Sequence, residues 1–189
     1  MPRLTTAWLR SRGACEPGMD AWLAGPYAAT GCCLADAVDV ARGESAWLRW
    51  LYRWMAEDLP VPVLRGLAAS RARSVEHMWP EERREACARA VALAEAVADG
   101  QPVSRRGYDE ACLAMFGVGA VMDLHDQAAY VARVALWAAE PVAPDRPRVD
   151  FLAMDAASVA ARARQDEAQG WREALAELDA ALSRAGVPA

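Results

Sequence analysis

The chain of 189 residues contains no lysine, no isoleucine and no asparagine. All 21 of its basic residues are therefore arginine. The three missing residue types share AT-rich codons, so their absence reads first as a genomic bias and only second as a sign of function. Histidine occurs twice, at positions 77 and 125. A zinc site would need carboxylate or cysteine partners that no local motif supplies, and no metal or other cofactor is expected. The nucleophile motifs GxSxG and SxxK are absent. So are the ExxH pairs of a di-iron bundle. The reading is that of a non-enzyme.

No apolar run approaches the roughly 18 residues that a membrane span requires. The opening Met1-Pro2-Arg3-Leu4-Thr5-Thr6 lacks the apolar stretch of a secretory signal, so the expected location is cytoplasmic. The five cysteines, Cys15, Cys32, Cys33, Cys87 and Cys112, are odd in number and lack paired CxxC spacing. They are expected to be reduced and mostly buried. A net charge of −5 and a pI near 5.1 argue against a general nucleic-acid binder, which needs a basic footprint. A local arginine patch stays possible.

What is present is helix-forming material. Alanine supplies 44 of the 189 residues, and leucine, arginine and glutamate supply much of the rest. Alternating strand patterns with hairpin turns are nearly absent. The expected fold is all-α, a compact multi-helix bundle. Short helices are expected after Thr5 or Thr6, after Cys15-Glu16-Pro17, and from about Gly31 to Arg42. The segment 46–57 carries Trp47, Trp50, Leu51 and Trp54 on one face, at i, i+3, i+4 and i+7. Trp79-Pro80-Glu81-Glu82 reads as a helix start, followed by a buried stripe of Cys87, Ala90, Val91, Ala94 and Val97. From Tyr108 to Ala139 one helix, or two broken near Gly117-Val118-Gly119, is expected, with the apolar stretch Ala111 to Met122 at the centre of the bundle. Pro141 to Pro147 holds three prolines and reads as an extended linker. Helices interrupted at Gly170 follow it, with Trp171, Leu175, Leu178 and Leu182 on one face. The expected organisation is thus a bundle at 1–140, a linker at 141–147 and a helical segment at 148–189.

His125 lies in Asp123-Leu124-His125-Asp126. Helix geometry turns Asp123 and His125 about 200° apart, so a packing or hydrogen-bonding role fits it better than acid–base chemistry. His77 sits near a helix end, where the dipole favours a cation. The tryptophans of 46–57 read as core first and as binding anchors second. The arginines of the middle third are interleaved with Glu76, Glu81, Glu82, Glu85 and Asp109. A self-paired surface is the plain reading. The sharper one is a partner-binding patch formed by Arg71, Arg73, Trp79, Arg83, Arg84, Arg105 and Arg106, because arginine grips carboxylate and phosphate bidentately.

Two stretches carry a resemblance. The opening Ala7-Trp8-Leu9-Arg10 through Gly13-Ala14-Cys15 to Trp22-Leu23 resembles the start of many bacterial and phage proteins. The order Pro80-Glu81-Glu82-Arg83-Arg84-Glu85-Ala86, then Asp99-Gly100, then an alanine-rich helix with His125, resembles helical immunity proteins of bacterial polymorphic-toxin systems. The likeness extends over about half the chain. It implies a non-catalytic inhibitor that binds another protein. The missing catalytic constellation and the negative charge fit two targets for such an inhibitor, a toxin or, in a phage-encoded anti-CRISPR role, a subunit of a nuclease complex. A helical scaffold or small-molecule-binding protein is the remaining alternative.

Overall fold

The computed structural model describes residues 4–41, 45–116, 124–140, 146–163 and 166–186. Among them lie ten α-helices and no strand beyond one isolated antiparallel pairing of Leu4 with Cys32. The fold is all-α. In chain order the helices are α1 (Thr6–Ser11), α2 (Glu16–Leu23), α3 (Ala37–Ala41), α4 (Ser45–Ala56), α5 (Val61–Ser74), α6 (Arg84–Ala98), α7 (Arg105–Ala114), α8 (Leu124–Ala138), α9 (Arg146–Ala163) and α10 (Glu167–Arg184). Two short 3-10 turns, Glu76–Met78 and Glu81–Arg83, lie between α5 and α6.

The helix ends follow local chemistry. The Thr5 hydroxyl accepts from the Trp8 amide at 3.2 Å, and Ser104 accepts from Gly107 at 3.1 Å, each satisfying one orphan donor of a first turn. Gly13 and Gly100 adopt φ of 68° and 72° just past α1 and α6, where a side chain would be strained.

The contacts divide the chain into two compact units. One joins Met1–Leu59 to Ala168–Ala189, and the other is the continuous stretch Pro60–Glu167. This partition differs from the expected 1–140, 141–147 and 148–189. α9 packs on α5 and α8 within the second unit, whereas α10 belongs to the first. Residues 141–145 of the expected linker lie outside the described residues, and Pro147 falls in the first turn of α9. A proline is tolerated there because first-turn amides have no intrahelical acceptor.

In the first unit, Trp22, Leu9, Leu34, Leu51, Tyr52 and Trp171 are fully buried. The Trp22 indole N–H donates to Thr6 Oγ1 at 2.8 Å, and that hydroxyl donates to the Ala28 carbonyl at 2.8 Å, so the buried ring has a complete hydrogen-bond relay. The Tyr52 and Trp171 rings meet edge to face at 6.5 Å. Arg172 pairs with Asp39 at 2.7 Å. The stripe on α4 splits: Trp47 and Leu51 are buried, while Trp50 and Trp54 are half-buried.

Three expectations are corrected here. The helix expected from Gly31 to Arg42 is only Ala37–Ala41. Gly31 takes φ of 70°, and Cys32 exchanges backbone hydrogen bonds with Leu4 at 2.9 and 3.1 Å instead of entering a helix. The interruption expected at Gly170 precedes Glu167 instead, and Gly170 is buried inside α10. Beyond those points, the stretch expected at the bundle centre begins on a peripheral helix, since Leu113 and Phe116 face solvent. The suggested break at Gly117-Val118-Gly119 lies outside the described residues.

The second unit is built around α5, α6, α8 and α9, with α6 and α9 each packed on both α5 and α8. Its centre is α8, where Ala128, Ala129, Val131, Ala132, Val134, Ala135 and Leu136 are all fully buried. Arg65 closes the end of α8: its Nε donates to the Ala138 carbonyl at 2.9 Å and its Nη2 to the Glu140 carbonyl at 3.1 Å. A cation at a helix C-terminus satisfies the orphan carbonyls and the dipole together.

Candidate functional site

Both histidines of the chain line one open hollow of about 450 Å³ in the second unit. The sequence hides this, because they are 48 positions apart. His77 comes from the turn Glu76–Met78, and Trp79 and Pro80 follow it. Glu81 and Glu82 come from the second 3-10 turn, Arg84 opens α6, and His125 stands on the first turn of α8. Pro80, with φ of −54° and ψ of 137°, holds the chain extended between the two turns.

One hydrogen bond ties α8 to this double turn. His125 Nδ1 lies 2.7 Å from the Met78 carbonyl. A carbonyl can only accept, so Nδ1 carries the proton, and a neutral ring then keeps its lone pair on Nε2. His125 is thus a hydrogen-bonding histidine, the role expected for it, though exposed rather than packed. Arg84 is held on three sides: it donates to Glu81 at 3.0 Å, to the Glu76 carbonyl at 3.3 Å and to the Trp79 carbonyl at 3.2 Å. Among the described residues, His77 and Glu82 make no ion pair or hydrogen bond. No group of three or more histidine, cysteine or carboxylate side chains is placed to hold a metal ion, again among the described residues.

The residues of the expected partner-binding patch are not brought together as one surface. Arg84 is held in the hollow. Arg71 and Trp79 are buried, at 8% and 3% exposure, and so offer no surface to a partner. Arg73 grips Glu95 with both ends of its guanidinium, at 2.8 and 2.9 Å, and reaches Glu76 at 3.3 Å. Those bonds raise the Arg73 pKa and hold the Glu95 carboxyl below the usual range. Arg83 is half-buried beside the thiol of Cys87, which burial pushes up to about 11. A thiol so raised is inert as a nucleophile. Arg105 and Arg106 are exposed on α7 and pair with Asp109 and Glu110 one turn on, each at 2.9 Å. Arg89 of α6 also reaches Glu110, at 3.0 Å. The arginines are therefore largely satisfied by neighbouring acids.

Sequence reasoning missed the exposed apolar pair at the end of α7, Leu113 on the helix and Phe116 just past it. Tyr108 and Ala111 form the buried face of α7, continued by Met115 at its C-cap. Leu113 and Phe116 stand 73% and 81% exposed on the other side. Among the described residues, Leu23 and Phe151 are the other exposed large hydrophobic side chains. The helical spacing of Tyr108, Ala111 and Met115 was the available signal, since it leaves positions 113 and 116 facing outwards.

Among the described residues, no helix is long and apolar enough to cross a membrane. No protein-family model matches the chain, and neither a curated protein nor a solved structure does.

Proposed function

We propose that this chain is a non-catalytic protein-binding inhibitor of the immunity type, and that α7 presents its principal contact face. The observation that carries this reading is the exposure of Leu113 and Phe116 beside the charged pairs of Arg105 and Arg106. Two large apolar side chains in water at the end of one helix supply desolvation energy on binding. Self-paired charges around them form a polar rim that orients a partner without demanding unpaired burial. The net charge of −5 favours a basic target such as a nuclease domain.

The test is protection and binding against a panel of nuclease domains from polymorphic toxins. The chain is expected to rescue cells from at least one of them and to form an equimolar complex with it. Replacing Leu113 and Phe116 together by aspartate is expected to weaken that complex by at least about a hundredfold, the scale of an interface hot spot. Full affinity in the double variant would remove α7 from the interface, and no protection against any toxin would remove the immunity reading.

A further inference from the structure

We propose that the hollow between the 3-10 turns and α8 binds a cationic side chain, a guanidinium or alkylammonium group presented by a basic protein. Its volume lies within the range of ligand pockets, about 300–1,000 Å³. Two carboxylates, Glu81 and Glu82, face one guanidinium, Arg84, which leaves one net negative charge when both imidazoles are neutral. The single cation is already committed to Glu81 and to two backbone carbonyls. Those bonds take three of its five N–H donors, and the net negative charge of the lining favours a cation over an anion.

Each of the groups left over offers an acceptor. Glu82 is without a partner among the described residues, as is His77. His125 offers its Nε2 lone pair because Met78 holds the proton on Nδ1. A bare metal ion lacks the set of three ligands it would need. A group that brings its own N–H donors suits separated acceptors better, and guanidinium brings five in a fixed fork. The same chemistry could arrive on a free polyamine. The choice of a protein side chain rests on the protein-binding reading given above; the assignment of a cation site does not.

The two histidines make the site directly observable by NMR, because their imidazole Hε1 signals are the only ones in the chain. The full chain is titrated with blocked arginine (N-acetyl-arginine methylamide), with spermidine and with sulfate. Blocked arginine is expected to shift both Hε1 signals saturably, and sulfate to leave them in place. Glu82→Gln is expected to weaken binding roughly fivefold, the scale of one exposed charged contact. Glu85→Gln, which changes an exposed carboxylate of α6 outside the hollow, is expected to leave it unchanged. Tighter binding of spermidine than of blocked arginine would support the cation site and assign it to a free polyamine. Shifts caused by sulfate, no saturable shift with either cation, or equal losses in the two variants would overturn the proposal. These outcomes use no toxin, so they separate its failure from that of the immunity reading.

Discussion

The two units solve the same packing problem with different mixtures of side chains. The first buries Trp22, Trp47, Tyr52 and Trp171 among helices of very unequal length, 5 to 18 residues, and its two longest meet through rings. The second buries Ala68, Ala69, Ala72, Ala90, Ala94, Ala128, Ala129, Ala132 and Ala135 along helices that are mostly 14 to 18 residues long. Large rings fill the gaps around α1, α2 and α3, none of which exceeds eight residues. Alanine contributes little area per residue, so it stabilises only where many backbones approach closely over long, regular faces. The lesson is that core size is set by helix regularity as much as by hydrophobicity. A ring-based core concentrates its stability in a few side chains, and an alanine-based core spreads it.

That contrast gives a ranked set of expectations. Trp22→Ala should have the largest effect, about 3–5 kcal/mol, since it opens a cavity at a fully buried ring and removes the donor that the Thr6 hydroxyl accepts from. Hydrogen exchange should then show faster opening of α1, α2 and α4 than of α8; equal acceleration throughout would break the distinction between the cores. Ala132→Leu should cost about 1–3 kcal/mol by overfilling the second core, where Ala132 is fully buried. A cost below that of an exposed substitution would show that this core has slack, as thermal melting would reveal.

A smaller effect is expected at Asp179, which is buried in α10 with one carboxylate oxygen lacking a hydrogen-bond partner. Burial raises its pKa above the ordinary carboxylate value. The folded state therefore holds the proton more tightly than the unfolded chain, and the protein loses stability as pH rises from the unfolded value through the folded one. Asp179→Asn should raise the melting temperature at neutral pH and leave it nearly unchanged near pH 3, where both states are protonated. Glu95 has the opposite sign, because Arg73 lowers its pKa; its contribution is present at neutral pH and fades on acidification. The smallest effect is expected from Leu113→Ser with Phe116→Ser. Melting should move by no more than about 0.5 kcal/mol, because neither side chain is packed.

Helix content was legible because composition and spacing act locally. The faces of α4, α6 and α10 follow from the i, i+3, i+4 recurrence of Trp47 and Leu51, of Cys87, Ala90 and Val91, and of Trp171, Leu175 and Leu178. What escaped was set by distant partners. Gly31 and Cys32 left the expected helix for a pairing with Leu4, a contact that no local window contains. The meeting of His77 and His125 depends on how α8 docks beside a double turn. The arginine patch was read from density in sequence, yet Arg71 points into the core and Arg73 spends its donors on Glu95. Rotation about a helix axis, not proximity along the chain, separated those two neighbours.

The first unit is assembled from both sides of the second in sequence, and its Tyr52 and Asp39 wait for Trp171 and Arg172 of α10. During synthesis the ribosome releases α1 to α4 first and then all of α5 to α9 before α10 emerges. The alanine-rich unit is thus free to fold while Tyr52 and Asp39 still lack their partners on α10. For that interval the Tyr52 ring is without its Trp171 cover, a natural target for a chaperone that reads exposed aromatics.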